Sequence, residues 1–151
     1  MTGPDIPLRL FIALLEKHGE ATLRAQGCSM RPFICHGDTL TLVRVSENDI
    51  LRRGDIVMAL TGSGEKNAVI HRIYSFAKGG RGDNGPEIIL MGDSNRKRVE
   101  LCRRSGIIAR VVKIFGRNGD VTDCRGRRFI FYSTLWRRMV SIRPLLQQFI
   151  R

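Results

Sequence analysis

Between residues 39 and 124 the chain is written in short runs of aliphatic and β-branched residues, each closed by glycine, proline, asparagine or aspartate. Runs of this kind occupy 39–45, 55–60, 68–76, 87–91, 107–115 and 121–124. Such punctuation fits strands joined by turns and leaves little room for long helices. Asn118-Gly119, between the last two runs, is a two-residue hairpin signal. Only the ends differ. Leu8, Phe11, Ile12 and Leu15 fall at helical spacing between Pro7 and Gly19, which predicts an amphipathic helix over 7–18. A last strand is expected over 128–132. A helix over 135–150 follows, with a break at Pro144. The glycine-rich segment 78–86 reads as a loop. No internal repeat is visible.

The expected fold class is therefore mainly β, with a short helix at each end. One β-rich domain would span 1–134, and a basic amphipathic helix would span 135–151. A length of 151 residues suits one domain, and 42% apolar residues exclude disorder throughout. The formal net charge is +12. Residues 1–75 contribute about +1 and residues 76–151 about +11, most of it arginine. An excess of this kind points to a polyanionic partner. Neither a helix-turn-helix, a zinc finger nor an aromatic RNA-binding motif is present, so nucleic acid is not the expected partner. The final segment instead has the Trp, Phe and Arg composition of a helix lying on an anionic membrane surface.

No apolar run approaches the roughly 20 residues needed to span a bilayer. The start lacks the basic region of a secretory signal and carries Asp5 instead. The expected location is accordingly cytoplasmic or peripheral to a membrane. Cys28, Cys35, Cys102 and Cys124 lack a disulfide pattern, and Cys28 with Cys35 does not have zinc-knuckle spacing, so no metal site and no cofactor are expected.

Chemistry concentrates in four segments. Gly27-Cys28-Ser29-Met30-Arg31-Pro32 places a serine on a stiff bend, where nearby backbone N–H groups can hold an oxyanion. Gly54-Asp55-Ile56-Val57 opens a strand. His71 follows within Val69-Ile70-His71-Arg72-Ile73, and Asp93 within Gly92-Asp93-Ser94-Asn95. A serine hydroxyl needs an adjacent base to act as a nucleophile. Ser29, His71 and Asp93 would form a triad if they converge in space. His36 lies nearer to Ser29 in sequence but beside the Gly37-Asp38 turn, where exposure is expected.

The ordered set Gly-x-Ser-Met-x-Pro, Gly-Asp, Gly-Asp-Ile-Val, His-Arg-Ile and Gly-Asp-x-Asn resembles the signal peptidase I family. That group also contains the LexA-type self-cleaving proteins. The resemblance runs from about residue 21 to residue 112. It implies coiled antiparallel sheets of the signal peptidase and LexA C-terminal type. It also implies Ser29 as nucleophile, His71 as base in the manner of the histidine-type members, and Asp93 as the acid behind the ring. Met30 and Pro32, flanking the serine, would contact substrate. Two departures stand out. Arg96-Lys97-Arg98 occupies positions where histidine-type members carry further carboxylates, so either Glu100 or Asp93 is the third member. Gly27 stands where bacterial members often have a serine, leaving the Ser29 N–H as the chief oxyanion donor.

The function this implies is a serine endopeptidase cleaving an extended peptide or preprotein at or near a membrane surface. The alternatives are a non-catalytic membrane- or nucleic-acid-binding module on the same fold, and a LexA-type self-cleaving regulator. The latter proteins use lysine where this chain has His71.

Overall fold

The computed structural model describes residues 7–61, 67–77, 87–95 and 98–142. Helix α1, Leu8–His18, starts after Pro7 and ends at Gly19, whose φ of 76° is the left-handed cap that lets its N–H reach the Leu15 carbonyl. Phe11 and Leu15 form its buried stripe. Eight strands follow: β1 Glu20–Arg24, β2 Thr39–Arg44, β3 Ile56–Thr61, β4 Asn67–Phe76, β5 Ile88–Met91, β6 Val99–Cys102, β7 Ile107–Phe115 and β8 Val121–Asp123. Helix α2, Arg127–Arg138, comes last among the described elements.

All strand pairings are antiparallel, and the sheet order is β1-β2-β7-β3-β4-β5-β6, with β8 on β7. The mainly β class and the two terminal helices are as expected. Strand β3 is central, and its alternate side chains feed two separate cores. Ile56 and Met58 join Leu40, Leu42, Phe11 and Phe129 on one side. Val57 and Ala59 join Ile73, Ile88 and Leu90 on the other.

Three differences from the sequence reading matter for the site. Strands β1 and β6 were not anticipated. Both are short and half-exposed, with few buried apolar residues to mark them. Residues 128–132, expected as a strand, lie within α2. The buried positions there are Phe129, Ser133 and Trp136, a spacing of four and three that only a helix can bring to one face. The expected boundary between 134 and 135 therefore falls inside a continuous helix. The outer face of α2 exposes Ile130, Phe131 and Leu135. Expectations for Pro144 and the rest of 143–151, for the 78–86 loop and for Arg96 and Lys97 lie outside the described residues.

The helical assignment is testable by a pair of truncations. In a strand, residues 129 and 131 would share a face. In the helix, Phe129 is 8% exposed and Phe131 is 65% exposed. Phe129→Ala should cost about 3–5 kcal/mol, and Phe131→Ala no more than about 0.5 kcal/mol, read as denaturation midpoints in urea.

Candidate active site

Ser29 sits in the loop joining β1 to β2. The loop is tied at its base by Gly37 N–H to the Ala25 carbonyl (2.8 Å) and Ala25 N–H to the Asp38 carbonyl (2.7 Å). The buried Asp38 carboxylate accepts from the Cys35 N–H at 2.7 Å. Gly27 has a φ of 83°, and its N–H donates to His36 Nδ1 at 3.3 Å. His36 is exposed, as expected, and supports the turn. The Arg31–Pro32 peptide is cis.

The loop is also clamped from above. The turn after β5 passes so close that a Cβ on Gly92 would lie 2.6 Å from the Ser29 carbonyl oxygen and 3.2 Å from His71 Nε2. Only glycine fits there. Two residues on, Ser94 N–H donates to the Ser29 carbonyl (2.9 Å) and Ser94 Oγ to the Cys28 carbonyl (3.0 Å). Ser94 thus ties the serine turn to a segment more than 60 residues away in sequence, beside the turn's own local bonds such as Arg31 N–H to the Cys28 carbonyl at 3.3 Å.

His71 lies mid-strand in β4, buried to 7% exposure. Its Nε2 is 3.2 Å from Ser29 Oγ. Its Nδ1 is 2.7 Å from Glu100 Oε2. Glu100 comes from β6, where it is paired with Leu90 across the β5–β6 hairpin. With Nδ1–H directed to the carboxylate, the tautomer leaves the Nε2 lone pair facing the hydroxyl. Among the described residues, the Ser29 N–H donates to no acceptor.

Asp93 is not at the ring. Adjacent residues of a strand point to opposite faces, so Arg72 turns away from His71 and takes the carboxylate. Arg72 Nε and Nη2 donate to Asp93 Oδ1 (2.8 Å) and Oδ2 (2.6 Å). Both side chains are sealed, at 2% and 0% exposure. Arg72 Nη1 donates to the Gly54 carbonyl at 2.9 Å. The guanidinium stacks on the rings of Phe33 and Phe129. Trp136 Nε1–H donates to the Asp93 carbonyl at 3.0 Å. Of the two acids left open by the sequence, Glu100 is the one that meets the His71 ring, and Asp93 is half of a buried ion pair. The sequence signal for Glu100 was available: a strand pairing with 88–91 as a hairpin would bring an acid beside the end of β5.

A groove of about 930 Å³ opens on Ser29 and His71. Leu8 and Phe11 of α1, Leu23 of β1 and Val69 and Ile70 of β4 line it, and Met30 contributes to its floor. Pro32 does not line it. The four cysteines are free thiols, and among the described residues no histidine, cysteine and carboxylate cluster could hold a metal. None of the described helices is long and apolar enough to cross a membrane.

Comparison with curated proteins and with solved structures finds no match. The family model described as Peptidase S24-like matches residues 6–82. That span holds Ser29 and His71 and ends before Glu100. It covers just over half of the 151 residues. With a mainly β fold of matching class around it, the chain belongs to the Peptidase S24-like family.

Proposed function

We propose that the protein is a serine endopeptidase with Ser29 as nucleophile, His71 as general base and Glu100 as the carboxylate behind the ring. The observation that carries this reading is the continuous chain from Ser29 Oγ through His71 to Glu100 Oε2, at 3.2 and 2.7 Å. His71 Nε2 takes the hydroxyl proton as Oγ attacks the scissile carbonyl, and Glu100 stabilises the imidazolium that forms. The same proton then passes to the leaving amine, and water releases the acyl group by the reverse path. The Ser29 N–H is the donor in place for the developing oxyanion. The apolar groove suits an extended peptide, with the residues flanking Ser29 reading its side chains.

Ser29→Ala and His71→Ala should each lower peptide cleavage by about 10⁴-fold or more while the far-ultraviolet circular dichroism stays native. Cleavage at the wild-type rate by either variant would overturn the mechanism.

Glu100 and Asp93 separate by the kind of loss. Glu100→Gln should reduce kcat by about 10²- to 10⁴-fold with stability nearly unchanged, because the side chain is partly exposed and the loss is in holding the imidazolium. Asp93→Asn leaves Arg72 buried without its counter-charge. It should cost about 3–5 kcal/mol of stability, read by urea denaturation. Equal destabilisation by the two changes would count against this division of roles.

Gly92→Ala tests the clamp. The added methyl must displace either the Ser29 carbonyl or the His71 ring. A displacement of about 1 Å should lower kcat by roughly 10²-fold. Full activity would show that the serine turn does not depend on this contact.

A further inference from the structure

A second pocket, of about 620 Å³, lies between α2, β7 and the 48–56 segment. It shares no lining residue with the groove at Ser29. Its walls carry Arg52, Arg53, Arg110 and Arg125 against two carboxylates, Asp49 and Asp55. Both carboxylates are engaged in their own turns. Asp49 accepts from the N–H and Oγ of Ser46 at 2.7 and 2.9 Å. Asp55 accepts from the Arg52 N–H at 2.9 Å and meets Arg110 Nη1 only at 3.5 Å. Arg137, next to Gly54, adds to the crowding: burial first, then the charges of Arg72, Arg53 and Arg138, lower its pKa.

Two buried donors on residues lining the pocket lack partners among the described residues, and a third, Arg137 Nε, lies beside Gly54. Arg110 Nε has none among the described residues, and the contact of its Nη1 with the Ile50 carbonyl is long at 3.4 Å. Ser133 is 3% exposed, lines the pocket, and its Oγ has no partner among the described residues. The neighbouring Thr134 shows the ordinary alternative, returning its hydroxyl to the Ile130 carbonyl at 2.8 Å. A native fold seldom leaves such groups unpaired unless something else meets them. The thiol on the wall, Cys124, does not suggest covalent chemistry, because burial pushes its pKa up to about 12.

We propose that this pocket binds a phosphate group, with Arg110 and Ser133 as its buried donors and Arg52, Arg53 and Arg125 supplying the surrounding charge. A guanidinium fork and a hydroxyl are the donors suited to phosphate oxygens. Ile50, Val111 and Phe129 add apolar surface to the walls and would contact the body of a phosphate ester.

The test is titration of the full chain with inorganic phosphate, followed by amide chemical shifts and by melting temperature. Saturable binding is expected, with shifts confined to the 48–56 segment, β7 and α2. Arg110→Gln should weaken it by roughly tenfold or more. Arg9→Gln, which removes the same charge from the exposed face of α1, should change it by less than about twofold. Ser133→Ala guards against misfolding: the unliganded melting temperature should hold, while affinity falls about three- to tenfold. Vesicles of phosphatidylcholine with and without phosphatidylglycerol then identify the source. Displacement of phosphate by the anionic vesicles alone, lost in Arg110→Gln and kept in Arg9→Gln, assigns the site to a lipid headgroup. Phosphate binding that the vesicles leave untouched assigns it to a soluble ester. Absence of saturable phosphate binding, or equal losses from Arg110→Gln and Arg9→Gln, would overturn the proposal.

Discussion

The buried pair of Arg72 and Asp93 is the constraint on which the site depends. Taking both charges out of water is costly, and the pair is tolerable only because its geometry is nearly complete. Two parallel hydrogen bonds join guanidinium and carboxylate, a third reaches the Gly54 carbonyl, and two aromatic rings stack on the cation. Those partners come from separate parts of the chain. Gly54 opens β3, Phe33 belongs to the serine loop, Phe129 and Trp136 belong to α2, and Asp93 follows β5. One ion pair therefore holds the Ser29 loop, the turn that clamps it and the last described helix to the strand that carries His71.

This arrangement explains why His and Arg stand side by side. Strand alternation sends the two side chains to opposite faces. His71 reaches Ser29 and Glu100, while Arg72 fixes the turn containing Gly92 and Ser94. That turn in turn grips the Ser29 carbonyl. His71 and Ser29 are thus positioned by the two faces of the same dipeptide. A shift of β4 by one residue would exchange the faces and lose both functions together, so the register of β4 against β3 and β5 is under a double constraint.

Much of the fold was legible because buried strands announce themselves. β3, β4 and β7 are apolar runs bounded by turn residues, and each appears within about two residues of its expected limits. The failures have one cause. β1, β6 and α2 bury few side chains per element, so their patterns are weak in sequence. Phe129 to Tyr132 carries strong strand formers, and local propensity pointed to a strand. The packing of Phe129 against the first core and Arg72, and the bond from Trp136 to the Asp93 carbonyl, overrode it. Motif order puts Ser29 and His71 in one candidate set, and the fold places the two side chains 3.2 Å apart. The choice between Glu100 and Asp93, which the sequence leaves open, turns on the pairing of β6 with β5 and on which face of a strand each acid meets.

Ser29 lies on a loop, yet the role proposed for it requires a position held to a fraction of an ångström. The loop has little regular structure of its own to supply that rigidity. Its order comes from backbone bonds to Ser94, from the steric floor at Gly92 and from the aromatic packing of Phe33 against Phe129 and Trp136. All three depend on contacts far apart in sequence, so the Ser29–His71 distance rests on β4, β5 and α2 all being in place. A chain lacking α2 would keep Ser29, His71 and the Glu100 strand, and would lose Phe129 and Trp136 from around the ion pair that aligns them.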